Sequence, residues 1–352
     1  GSVEELRRLV QQNPLSTPML DRYDGPHLGL VTGKSLERGG AFVRTGATGR
    51  GIFYCAERHL ELMRDEFAEV SNFKDMTVSI HGAGKVGASY ALMLYNAGAK
   101  VVSLTDIDGG VFNPDGLNIL ELLKHREKTG SVVHFPGARN ITNEEGLELN
   151  VDRIALCATE DVIHIQNADK IKAAFEDDGA NGAATPEAST ELNKPLAERE
   201  RSDYPESPKP QWLRCSRRTK SGGRCQRLTG IWANSGGVIG SYLEKAFNLL
   251  KQPEEFKDPV VQEEMLRELM RATTDDVIEE HRRLKTQKPD ITFAQVCRIL
   301  AIRRLAKAES QREEVPRRYF VEGLEETPAH SPVAFEVIEQ RQRRQEAMAQ
   351  AA

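Results

Sequence analysis

Residues 76–106 read Met76-Thr-Val-Ser-Ile-His81-Gly82-Ala83-Gly84-Lys85-Val86-Gly87, then an alanine-rich run to Ala97, Gly98, Ala99 and Lys100-Val-Val-Ser-Leu-Thr-Asp106. The first piece alternates and is β-rich, with Val78 and Ile80 on one face of a strand. Ala88–Ala97 carries Ala91, Leu92, Met93 and Leu94 and stops at Gly98, which predicts a helix closed by a glycine. Lys100–Asp106 is a second short apolar strand ending in an acid. Strand, tight turn, helix and strand within about 30 residues form a βαβ unit.

Each glycine has a role in that frame. Gly82 allows the turn, Gly84 lets backbone approach a pyrophosphate, and Gly87 lets helix and strand pack closely. Free N–H groups at the helix start would bind the phosphates. Asp106 falls 19 residues after Gly87, where an acid can accept from adenosine ribose hydroxyls. The spacing predicts a dinucleotide site. Asp106 favours NAD over NADP, because a 2′-phosphate beside it would meet like charge. His81 is read as the end of a strand.

At 352 residues the chain has room for two domains. Its 39% hydrophobic content suffices for a globular core, and 48 basic against 53 acidic residues leave a net charge of −5. Nothing in that balance points to nucleic acid or a membrane surface. No apolar run reaches membrane-spanning length, and the expectation is a soluble, cytoplasmic protein. The five cysteines are odd in number and scattered, which fits reduced thiols.

Strands and helices alternate outward from this unit. A short amphipathic helix is predicted over Val3–Gln11. A glycine-rich stretch, Arg44-Thr-Gly46-Ala-Thr48-Gly49-Arg-Gly51, opens a helix that Thr48 and Gly49 are placed to cap. Asp108–Gly110 and Asn113–Gly116 read as turns, with a helix following to about Lys128. Thr142-Asn-Glu-Glu145 has capping-box spacing. Val151–Ala158 and Ala173–Glu176 read as a third and fourth strand, with residues 162–174 between them tending to helix. Thr185-Pro186 is an N-cap with proline at N1. Helices follow at about 260–285 and 292–309. The pattern predicts an α/β fold: a Rossmann-type doubly wound, mostly parallel sheet with C-terminal helices. Ligands then sit beyond the carboxyl ends of the strands, where Asp106, Thr159 and Asn181 fall.

Residues 195–230 break the rhythm with Pro195, Pro205, Pro208, Pro210 and no apolar stretch of four. They read as a basic, disordered insertion. Cys215 and Cys225 stand with nine residues between them and no histidine nearby, so no metal site is expected.

Several motifs occur in one order: Ala47-Thr-Gly-Arg-Gly51, the 82–87 fingerprint, Asp108-Gly-Gly-Val-Phe-Asn-Pro-Asp-Gly116, Phe135-Pro-Gly-Ala138, Gly179-Ala-Asn-Gly182, Thr185-Pro-Glu-Ala188 and Ala233-Asn-Ser-Gly-Gly-Val238. Together they resemble the cofactor-binding half of the glutamate/leucine/phenylalanine/valine dehydrogenases, with glutamate dehydrogenase the nearest in pattern. The resemblance covers residues 17–194 and 231–309. It implies that Thr48 contacts the nicotinamide side, that Gly82, Ala83, Gly84, Lys85, Val86 and Gly87 hold the pyrophosphate, and that Asp106 takes the ribose. Ala158 and Thr159 would line the cofactor, Asn181 and Asn234 would hold the nicotinamide carboxamide or ribose, and Val238 and Ser241 would border the substrate. Lys85 stands where the family usually has Asn, and Gly46 where it usually has Glu.

The resemblance also has gaps. The family's catalytic lysine and aspartate lie in a Gly-rich Lys segment and an Ala-Pro-Asp segment of an N-terminal substrate domain, and neither is found here. A short apolar strand ending in Pro-Asp is expected just before Asn234, and residues 195–230 read as having replaced it through a reading-frame or splice artefact. The implied division is a substrate-domain remnant and hinge (1–50), an NAD-binding domain (51–194), the insertion (195–230), closing helices (231–309) and an exposed tail (310–352). Two functions follow: an NAD-linked amino-acid dehydrogenase inactive as this chain alone, or a silent NAD-binding or subunit-interaction module. Partners would be an amino acid or 2-oxoacid and further subunits, identical or complete.

Overall fold

A computed structural model of the chain describes residues 32–63, 72–193, 226–249 and 258–310. The predicted helix at Val3–Gln11, most of the 195–230 segment and the tail beyond 310 lie outside the described residues. The chain divides into two units, Gly1–Thr45 with Gly237–Glu264 and Gly46–Gly236 with Met265–Ala352.

The second unit is built on one seven-stranded sheet in the order β4-β3-β2-β1-β5-β6-β7. Its strands are β1 (Thr77–His81), β2 (Lys100–Asp106), β3 (Gly109–Phe112), β4 (Arg139–Ile141), β5 (Arg153–Leu156), β6 (Phe175–Asp178) and β7 (Gln226–Leu228). Six strands run in one direction, and β3 alone runs antiparallel between β2 and β4. This is the expected Rossmann-type sheet. The chain runs outward from β1 to β2 and later returns to the other side of β1 with β5, so the strand order reverses there. The helices are α1 (Ala47–Leu62), α2 (Lys85–Asn96), α3 (Ile119–Thr129), α4 (Asn143–Glu148), α5 (Pro186–Leu192), α6 (Gly230–Ala233), α7 (Gly236–Leu249), α8 (Pro259–Lys285) and α9 (Phe293–Ser310). The capping box at Thr142 and the Thr185 N-cap form as expected.

Four expectations change. The Asp108–Gly110 turn continues into β3, because Gly109 takes φ +128° and lets the chain double back on β2. The fourth strand lies two residues later than predicted, and residues 162–174 hold only a 3-10 turn at Ala168–Lys170. Gly46, in the left-handed region at φ +71°, caps α1, and Thr48 lies within the helix. Finally, the 195–230 segment ends in a strand. Gln226–Leu228 pairs parallel with β6 and occupies the place of the strand thought lost.

That last strand was hidden because its partner is unusual. β6 reads Phe-Glu-Asp-Asp and is buried throughout. Arg227 of β7 donates to the Glu176 carboxylate at 2.9 Å and lies 3.8 Å from Asp178. An edge strand that neutralises buried acids needs an arginine more than an apolar run, and only Leu228 is buried. On the other side, fully buried Arg153 of β5 donates to Asp177 at 2.5 Å. The Tyr90 hydroxyl donates to the same carboxylate at 2.6 Å. The guanidinium lies 4.6 Å from the Phe175 ring centroid and 5.6 Å from that of Phe73, a desolvated cation–π arrangement. Register between β1 and β5 is pinned where Thr77 donates twice to Asp152 and Asp152 N–H donates back.

His59 of α1 is wholly buried among Phe175, Trp232 and Phe293, edge-on to each. Neither ring nitrogen has a partner among the described residues. Burial lowers its pKa from 6.5 to about 3, so the ring is neutral in the fold. In the smaller unit, buried Glu244 of α7 accepts from the N–H groups of Gly33 and Lys34 and from the Lys34 ammonium at 2.7 Å. Val43 N–H donates to Gln262 at 2.9 Å.

Two outcomes follow. Asp177→Ala leaves Arg153 charged and unpaired in the core and should reduce the unfolding free energy in urea by about 3–5 kcal/mol. The double variant Arg153→Met/Asp177→Leu should recover most of it. For His59 the folded pKa is below the unfolded one, so the unfolded state binds the extra proton. Its contribution is present above pH 6.5 and is lost as pH falls toward about 3. His59→Leu should therefore flatten the fall of melting temperature over that window relative to the parent.

Candidate functional site

The carboxyl ends of β1, β2, β5 and β6 bring most of the sequence-predicted residues to one end of the sheet. After β1 the chain turns at Gly82, with φ +103° and a Cβ direction that would meet the Ala158 backbone nitrogen at 2.7 Å. Gly87, in the first turn of α2, has the Gly82 carbonyl oxygen 1.9 Å from where a Cβ would stand. Helix and turn are therefore in backbone contact. Gly84 is different. Its φ is −65° and no atom lies within 4 Å of an added Cβ, so nothing in the fold requires glycine there. The space above it is open, as a phosphate-cradling turn requires. Lys85 begins α2 and is exposed.

Asp106 ends β2, and its carboxylate is already engaged. Oδ1 accepts from Asp108 N–H at 3.0 Å and from the Ser131 hydroxyl at 3.1 Å. Oδ2 accepts from Val132 N–H at 2.7 Å. Ser131 and Val132 follow Gly130, the left-handed stop of α3. Neither was foreseen, since 25 residues separate Ser131 from Asp106 and no periodic pattern links them. Beside Asp106, Ile107 is 94% exposed.

Across β1, Cys157 N–H donates to the His81 carbonyl at 2.7 Å, which places Ala158 and Thr159, both exposed, next to the glycine turn. His81 ends its strand as expected, with its ring 3.1 Å from the Thr105 hydroxyl. Burial pushes the Cys157 thiol far above its usual range, so it stays protonated and unreactive. Beyond β6, Asn181 accepts from the Asn234 side-chain amide at 2.6 Å. That bond ties the loop after β6 to the end of α6. At the base of this loop Asp178 is driven well above the carboxylate range by burial and by Glu176 beside it.

Thr48, half-buried in the first turn of α1, belongs to the same unit. Its neighbours fit tightly. A Cβ on Gly49 would meet the Val86 carbonyl at 2.3 Å, and one on Gly51 would meet the Gly236 Cα at 2.7 Å. Val238 and Ser241 lie on α7 within the smaller unit, with Val238 73% exposed. Among the described residues no group of three or more His, Cys, Asp or Glu side chains is arranged to hold a metal, and no helix is long and apolar enough to cross a membrane.

The profile of the Glutamate/Leucine/Phenylalanine/Valine dehydrogenases matches residues 39–313. The chain belongs to that family. It is 34% identical over 290 residues to a glutamate dehydrogenase of Thermotoga maritima, covering 82% of this chain and 60% of that protein. It is 36% identical over 179 residues to the glutamate dehydrogenase of Aeropyrum pernix, covering 50% of this chain and 41% of that one. It therefore spans less than two thirds of the length of these relatives. In fold it resembles the hetero-hexameric glutamate dehydrogenase of Thermus thermophilus in its Leu-bound form, with TM-score 0.63 and 23% identity over 82% of this chain and 58% of that one.

The middle and last glycines of the turn separate fold from site. Gly87→Ala forces a methyl against the Gly82 carbonyl and should cost about 3 kcal/mol or more in chemical denaturation. Gly84→Ala should leave the melting temperature within a degree or two of the parent.

Proposed function

We propose that this chain is the NAD(H)-binding half of a glutamate dehydrogenase-type enzyme and does not turn over substrate alone. The observation that carries the reading is the open backbone above Gly84, at the reversal of strand order, with an acid at the end of the next strand. Gly82 to Gly87 would hold the pyrophosphate, Asp106 a ribose hydroxyl, and Ala158 and Thr159 would line the cofactor. The Asn181–Asn234 pair keeps an amide donor and an acceptor for the nicotinamide carboxamide or its ribose, and Thr48 would face the nicotinamide side. Val238 and Ser241 would border the substrate. In this reading residues 51–194 are the NAD-binding domain, and residues 231–309 carry its end and the closing helices. When bound, the nicotinamide supplies the hydride acceptor for L-glutamate oxidation to 2-oxoglutarate and ammonia.

The chain's own residues bind and orient. The family's lysine that polarises the substrate carbonyl and its proton-moving aspartate have no counterpart in this sequence. Positioning and general acid–base groups together supply many powers of ten in rate. They must come from another segment or another subunit, and the hetero-hexameric relative makes a companion subunit the natural source. A silent NAD-binding module is the second reading, favoured by the same absence.

Titration of NADH fluorescence tests the site. Gly84→Ala should weaken binding at least tenfold, about 1.4 kcal/mol, without loss of stability, and unchanged affinity would overturn the assignment. Purified chain supplied with L-glutamate and NAD should show no sustained NADH formation. Multiple turnovers would show instead that the catalytic groups are present here.

A further inference from the structure

We infer that Ser131 is a specificity-determining residue, locking the Asp106 carboxylate so that it discriminates against a 2′-phosphate. The inference rests on the NAD(H) reading above. A carboxylate has about four acceptor positions, and three are filled within the chain. Asp108 N–H and the Ser131 hydroxyl occupy Oδ1, and Val132 N–H occupies Oδ2 at 2.7 Å. The Val132 bond is the short one, the Asp108 and Ser131 bonds are 3.0 and 3.1 Å, and all three gain from the charge on the acceptor. They come from two separate places, the β2–β3 turn and the loop after α3. The carboxylate is therefore held from both sides and cannot rotate away from a ligand.

That has two consequences for an adenosine ribose. One acceptor position remains, on Oδ2, enough for a single hydroxyl but not for a bidentate grip on both. An aspartate free to rotate could swing aside from a 2′-phosphate and relieve the repulsion. A clamped one keeps its charge in place, so discrimination depends on the clamp as much as on the acid. Ser131 is the side-chain member of that clamp. It is 8% exposed, and its hydroxyl also accepts from Val133 N–H at 3.3 Å. Val132 contributes through its backbone alone.

The test titrates NADH and NADPH into the parent, Ser131→Ala, Ser131→Thr and Asp106→Asn. The parent should prefer NADH. Ser131→Ala should cut the NADH-to-NADPH affinity ratio by about tenfold, mainly by improving NADPH. Ser131→Thr keeps the hydroxyl and should restore the ratio. Asp106→Asn removes the charge, keeps one acceptor oxygen and turns a donor toward the other side of the clamp, and should bring the ratio near one. A purely structural serine would weaken both cofactors together and leave the ratio unchanged, which overturns the inference, as does a parent that binds both equally. Failure of the parent to bind either cofactor overturns instead the NAD(H) reading on which it rests.

Discussion

The backbone contact between Gly82 and Gly87 is the constraint on which the rest of the larger unit depends. With a carbonyl oxygen 1.9 Å from the Cβ position of Gly87, α2 can pack against the turn only with glycine at its third residue. That contact sets the helix against the turn that follows β1. The same turn packs against the backbone of Ala158, so the end of β5 is located by the end of β1. Asp106, Ala158 and the glycine turn are brought together by main chain, which does not shift rotamer. Positions built this way are fixed by the fold itself.

The second organising feature is electrical. Three consecutive acids on a buried strand would ordinarily forbid folding, because each unpaired buried charge costs several kcal/mol. Here Arg153 answers Asp177 across one strand boundary and Arg227 answers Glu176 across the other, while burial and Glu176 push Asp178 toward its neutral form. The consequence is mutual dependence. β6 cannot be central without β5 and β7 in place, and β7 has no apolar reason to join the sheet except Leu228. This supplies the physical role of the arginine in a segment whose composition looks foreign to the fold.

Asp106 shows how a motif residue can be correct in position and incomplete in meaning. Its place at the end of β2 follows from spacing. Its hydrogen bonds to Ser131 and Val132 make it part of a three-point anchorage between a turn and a loop. A carboxylate so held contributes to local order whether or not a ribose is present.

Periodicity and glycine spacing were enough to determine the βαβ unit, the parallel sheet, the caps at Thr142 and Thr185 and the closing helices. These rest on local rules, namely alternation, helical repeat and the φ freedom of single residues. What only the tertiary structure decided was everything set by partners distant in sequence. β7 was unreadable because its stability comes from two carboxylates 50 or so residues away, and the cap of α1 passed from Thr48 to Gly46 because the chain there takes a left-handed turn. The clamp on Asp106 was unreadable because a serine's use as a donor leaves no periodic trace. The sequence determined which glycines could form the turn, and the packing of backbone on backbone decided which of them, Gly84, has open space around it.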